Sequence, residues 1–257
     1  MIDRTPPDSV AMRRIALRAL VVLACVVAIH CGGSDPTSPD APSGGGGGGG
    51  AGGGGAGGGG GGGATRTSTT SDDDFDDGQW ADVVEAFGAG GSGGGGRLSY
   101  LGQQGAYYRQ VSITVNSAGS GSAAQVAVFS FKQGAVYFPS TDGAILSIDY
   151  SESSINQSGG NGQYSAPAIR QNGKLYTLVP GGKAFTTPET SWTTHSLTGL
   201  TQNDFRTIAS AADHPDFSTN GGRMEVGFMR LQVVQAGGGG STTKVGIDTY
   251  RLTMYRN

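Results

Sequence analysis

Residues 224–257 read MEVGFMRLQVVQAGGGGSTTKVGIDTYRLTMYRN. Near the end of this stretch Tyr250, Leu252 and Met254 alternate with Arg251 and Thr253. A period of two places apolar residues on one face of a strand and polar residues on the other. Gly237–Gly240 divides the stretch into two such runs. The spacing predicts a hairpin, with Met224–Val234 running in and Lys244–Tyr255 running back.

The same pattern continues towards the N-terminus. Tyr107–Val115, Ala124–Phe131, Ala144–Tyr150, Leu175–Val179 and Ser191–Leu197 alternate between Gly-, Ser-, Asn- and Pro-rich breaks, giving eight or nine strands in all. Helical periodicity is confined to Trp80–Phe87 and Asn203–Ala212, each long enough for a turn or two, the second with Thr201 as a possible N-cap. Many short strands without intervening helices predict an all-β sandwich or barrel. No repeat of fixed length is visible, which argues against a propeller or solenoid.

The N-terminal part of the chain has a different composition. Arg13, Arg14 and Arg18 precede an apolar run of eleven residues, Ala19–Ile29. About 20 residues are needed to span a bilayer, so this run matches the apolar core of a signal peptide instead. Residues 44–63 are glycine broken only by Ala51 and Ala56. Such a segment has nothing to bury, and it lacks the G-X-Y period of collagen. The sequence thus divides into a leader (residues 1–31), a disordered Gly-rich linker (32–71) and a β-sandwich domain (72–257). The 40-residue linker would reach ~35 Å. The glycine run Gly88–Gly96 reads as a loop between the first two strands.

Composition excludes several functions. The chain has 257 residues and a net charge of −3. There is no basic stripe for phosphate, so nucleic acid is not an expected partner. Both cysteines, Cys25 and Cys31, lie in the leader. The domain therefore has no disulfide, thiolate metal site or cysteine nucleophile. Gly90–Gly94 satisfies G-x-S-x-G around Ser92, but that motif needs a strand-to-helix elbow. Asp149 and Glu152 are a candidate glycosidase pair. His195 reads as a strand-surface residue and His214 as a loop residue. The expectation is a domain without catalytic activity. Tyr107, Tyr108, Tyr137, Tyr150, Tyr164, Tyr176 and Trp192 are the aromatic candidates for contact with a ligand.

Two resemblances follow from these residues. The leader resembles a bacterial lipoprotein signal, which implies lipidation at Cys31, with Cys25 as the alternative. It further implies a membrane partner through the lipid and a place in the cell envelope, at the outer membrane or cell surface rather than the inner membrane. The domain opens with Phe75-Asp76-Asp77-Gly78 and Trp80 and closes with Val245-Gly246-Ile247-Asp248-Thr249-Tyr250-Arg251-Leu252. That pairing resembles jelly-roll carbohydrate-binding modules and their galactose-binding-like relatives. It implies a jelly-roll-like antiparallel β-sandwich and a non-catalytic binding role towards a glycan or other extracellular polymer. It also implies a structural calcium at Asp76, Asp77 and Asp248. The bland alternatives are a solvated acidic end to the linker, and a structural or protein-interaction module of the envelope with no small ligand.

Overall fold

A computed structural model describes residues 65–99, 102–103, 106–158, 160 and 162–256. The leader, both cysteines and the polyglycine run lie outside the described residues.

Twelve strands are present among the described residues: β1 Arg66–Asp72, β2 Trp80–Phe87, β3 Gly91–Ser99, β4 Tyr107–Val115, β5 Ala124–Tyr137, β6 Ile145–Ser158, β7 Tyr164–Gln171, β8 Lys174–Thr177, β9 Phe185–Thr186, β10 Thr193–Leu200, β11 Met224–Val234 and β12 Ser241–Arg256. They form two antiparallel sheets. Sheet A runs β10-β6-β12-β4-β3, with β1 also on β12; sheet B runs β2-β5-β11-β7-β8, with β9 also on β7. Only β3–β4 and β7–β8 pair consecutive strands. The other neighbours are distant in sequence, as in a jelly roll.

The predicted terminal hairpin is not a hairpin. β11 pairs with β5 and β7 in sheet B, whereas β12 pairs with β4, β6 and β1 in sheet A. The glycine segment between them arches from one sheet to the other. It is braced by the equivalent arch between β4 and β5: Ala118 N donates to Gly238 O (2.9 Å), and Gly237 N donates to Gly119 O (3.0 Å). Alternation identifies a strand but does not say which sheet it joins.

Four further expectations are revised. Arg66–Asp72, all but its last residue assigned to the linker, is a strand paired along its whole length with β12. It contains no apolar residue, because it lies on a half-exposed margin where threonine suffices. Trp80–Phe87 is a strand and not a helix. The glycines of 91–96 are likewise in a strand, β3. Its inward positions lie so close to sheet B that a Cβ on Gly93 would stand 2.5 Å from Val128 Cγ2, and one on Gly91 2.8 Å from Val126 Cγ2. Glycine there allows the two sheets to close on each other. The second helical expectation shrinks to a three-residue 3₁₀ turn, Gln202–Asp204. Thr201 does cap it, its backbone N–H donating to the Asp204 carboxylate at 2.8 Å.

The core lies between the sheets. Val111, Ile113, Val115, Val126, Val128, Phe228, Tyr250 and Leu252 are fully or almost fully buried. Trp80 joins the two ends of the domain: its ring lies 5.3 Å from Phe75, from Phe228 and, edge-on, from Tyr250. Beside this aromatic cluster the core is polar, with Arg230 5.6 Å from the Phe228 ring. Arg230 of sheet B and Glu152 of sheet A, both 0% exposed, form an ion pair at 2.8 Å. Glu152 also accepts from Ser165 at 3.1 Å and from Tyr150.

Candidate functional site

The two outer sheet faces differ in character. On sheet B the outward residues include Phe129, Met229 and Leu231, all buried. Met229, Leu231 and Val233 sit beneath Leu178, Val179, Pro180 and the turn at Ile208–Ala211, around an apolar cavity of about 100 Å³. That face is roofed by the connection from β8 to β11.

On sheet A the outer face is open and hydroxylated. A bulge in β12 determines which side chains reach it. The register of β12 against β6 shifts between Asp248 and Arg251, so that Thr249 and Tyr250 stand opposite the single residue Glu152. Thr249 takes a left-handed backbone (φ 49°) to make the extra step. Tyr250 then turns into the core, and Arg251, Thr253 and Tyr255 turn outwards. The bulge also marks an exchange of partners. Before it β12 pairs with β4, and after it with β1. The polar strand β1 thus adds Thr67 and Thr69 to the same surface.

The result is a groove of about 390 Å³ lined by Thr67, Thr69, Asp149, Ser151, Ser196, Leu197, Thr198, Arg251, Thr253 and Tyr255, with Tyr150 at its floor. Thr69 and Thr253 share a hydroxyl–hydroxyl bond of 3.0 Å. Asp149 accepts from Tyr255 OH at 2.9 Å and from Gly199 N at 2.8 Å. That bond to a carboxylate holds the Tyr255 phenol above its usual range. Further along the same face Tyr108 and Trp192 meet edge-on at 5.6 Å, above Gly246, whose missing Cβ would stand 3.1 Å from both rings. Gln157 donates to Tyr108 OH at 2.7 Å and accepts from Gln110 Nε2 at 2.5 Å.

The structure disperses the other candidates. Asp149 and Glu152 point to opposite faces of β6, Asp149 into the groove and Glu152 into the sealed interior against Arg230. They share no space for a glycosidic bond. Ser92 is a strand residue of β3. His195 is not on the strand surface. It faces inwards, stacked on Phe185 at 4.4 Å with Glu189 3.6 Å from Nε2. His214 is a loop residue whose Nδ1 contacts Phe205 O at 2.7 Å. Tyr137, Tyr150 and Tyr176 are core residues, and Tyr107 lies under the Arg97 guanidinium at 3.5 Å. Tyr164 lines the cavity beneath the roof of sheet B. Of the Tyr108–Trp192 pair on the outer side of sheet A, Tyr108 is buried and Trp192 half-buried.

The acidic positions implied for calcium are bonded within the chain. Asp76 accepts from Gly78 N (3.1 Å), and Asp77 accepts from Arg109 Nη1 (3.0 Å) and Arg97 N (2.8 Å). Asp248 is fully buried and accepts from Gln103 N (2.6 Å) and Thr249 N (2.7 Å). Among the described residues no group of three or more His, Cys, Asp or Glu side chains could hold a metal ion. The neighbouring carboxylates are met by cations of the chain itself: Arg97 pairs with Asp74, Lys132 with Asp72, and Arg109 with Asp82 at 2.9 Å. Burial opposes ionisation of Asp72. Its bonds from Lys132, from the backbone of Phe75 and Asp74 and from Trp80 Nε1 outweigh that, and hold its carboxyl below the usual range.

No protein-family model matches this chain, and no curated protein does. Among solved structures it is similar to a family 11 carbohydrate-binding module from Clostridium thermocellum in complex with a β-1,3-1,4-mixed-linked tetrasaccharide (14% identity, 72% of this chain and 94% of that one, TM-score 0.39). It is also similar to the CBM22-1 xylan-binding domain from Paenibacillus barcinonensis Xyn10C (8% identity, 73% and 94%, TM-score 0.37). A third is the C-terminal family 22 carbohydrate-binding module of Clostridium thermocellum Xyn10B (13% identity, 72% and 90%, TM-score 0.32).

Proposed function

We propose that this protein is an exported, lipid-anchored binding module that takes a glycan chain in the groove on sheet A and does not cleave it. One observation carries this reading: an open groove of about 390 Å³ in which most of the lining residues carry hydroxyls, among them Thr67, Thr69, Ser151, Ser196, Thr198 and Thr253. Binding sites for small molecules occupy roughly 300–1,000 Å³. Most are lined with apolar side chains, whereas a polyhydroxylated chain is matched by groups that both donate and accept. On the same face the half-buried Trp192, held edge-on by the buried Tyr108, adds an apolar edge against which a sugar ring can rest. The separation of Asp149 from Glu152 supports a non-catalytic role.

Affinity electrophoresis of the purified protein through gels containing mixed-linkage β-glucan, xylan or xyloglucan tests this directly. Retardation by at least one polymer, lost when Thr69 and Thr253 are both changed to Val, is the expected result. Unretarded migration in all three, and in a wider set of soluble polysaccharides, would remove the reading. The anchor rests on Ala19–Ile29 followed by Cys31. Metabolic labelling with a radioactive fatty acid should mark the protein, and Cys31→Ala should abolish the label.

A further inference from the structure

Within the groove the two charged side chains are in unequal states. Asp149 is the carboxylate, and both of its oxygens are already engaged: Oδ1 accepts from Gly199 N (2.8 Å) and Oδ2 from Tyr255 OH (2.9 Å). Arg251 is the guanidinium, and it is engaged by nothing comparable. It is exposed, and among the described residues it has no hydrogen-bond acceptor and no carboxylate within ion-pair distance. Its neighbours across the sheet are Ser71 on β1 and Ser151 on β6, both uncharged. Elsewhere in the domain the arginines are largely committed. Arg97, Arg109, Arg170, Arg223 and Arg230 each pair with a carboxylate, and Arg256 donates to Asp142 O.

A guanidinium presents five donors in a rigid fork that matches a carboxylate in two parallel bonds. The bulge at Thr249 places this fork on the outer face at the middle of β12, beside the hydroxyls that line the groove. Resting on the proposal that this groove takes a glycan, we infer that the glycan is acidic, and that Arg251 pairs with a uronate carboxylate of the chain. The hydroxyls of Thr69, Ser151 and Thr253 would meet the sugar oxygens around it. Asp149 lies diagonally across from Arg251; its oxygens accept from Gly199 N and Tyr255 OH, and it forms no ion pair with the guanidinium.

The test compares glucuronoxylan and polygalacturonate with the same polymers after their carboxyl groups have been reduced to alcohols. Affinity electrophoresis and calorimetry are run on the purified wild-type protein, R251K and R251Q, with circular dichroism to confirm that each variant is folded. The native polymers should bind the wild-type protein about tenfold more tightly than their reduced forms, the range expected of hydrogen bonds to a charged group. The difference should shrink at high salt, narrow in R251K, and vanish in R251Q. Equal binding of native and reduced polymers by the wild-type protein would overturn the acidic specificity and leave the glycan groove standing. A preference that survives in R251Q would overturn the role of Arg251. Binding of neither form, acidic or neutral, would remove this inference together with the groove reading beneath it.

Discussion

The outer faces of the two sheets are built by the same alternation and end in opposite states. On β11 the outward residues Met229, Leu231 and Val233 are apolar and lie under the β8–β11 connection. On β12 the outward residues Arg251, Thr253 and Tyr255 are polar and stand open beside a second polar strand, β1. A sandwich needs only its inner faces to be apolar. An apolar outer face therefore calls for a roof, while a hydroxylated one can be left open for a ligand. The contrast separates the structural part of this domain from the part available to function.

Substitutions sharpen that contrast in order of expected effect. Glu152→Gln, beneath both faces, strips the buried Arg230 of its counter-charge and should cost about 3–5 kcal/mol in urea unfolding. On the roofed face Phe129→Ala should cost about as much, 3–5 kcal/mol, through the lost burial and the cavity left behind. Gly93→Val, where the sheets close, should cost about 1–3 kcal/mol because its side chain must displace Val128. Asp72→Asn should lose about 1–3 kcal/mol by weakening the bonds to Lys132 and Trp80. The folded Asp72 carboxyl titrates below the usual aspartate value of 3.8. Its contribution is therefore present above about pH 4 and is lost as the pH falls through the lower folded value. The acid limb of the unfolding profile should flatten in Asp72→Asn. On the open face Thr253→Val should change stability by less than about 0.5 kcal/mol yet weaken polysaccharide binding. A cost there as large as that of Phe129→Ala would dissolve the distinction between the two faces.

Much of the fold was legible. The polar alternation of Arg251 and Thr253 against Tyr250, Leu252 and Met254 identified both the strand and the face it presents. The motifs at the two ends of the domain do meet, through Trp80 and Tyr250. Three features were hidden for physical reasons. β1 has no apolar residue, so no period announces it, although its threonines favour a strand. The glycines of β3 resemble a loop because the reason for them, the approach of Val126 and Val128, lies in the other sheet. The sheet change between β11 and β12 depends on tertiary contacts between two arches. The groove combines the first and last strands of the domain, and no local pattern links Thr69 to Thr253. The acidic cluster was conspicuous in sequence, but its electrostatic partners, Lys132, Arg97 and Arg109, are 20 or more residues away.

The most direct test of the central claim is an amide chemical-shift map of the isotope-labelled protein titrated with a soluble polysaccharide that retards it. Shifts should concentrate on β1, β6, β10 and the second half of β12, around Thr69, Ser151, Ser196 and Thr253. Shifts confined to Ile208–Ala211 and the outward residues of β11, with the groove silent, would contradict the account.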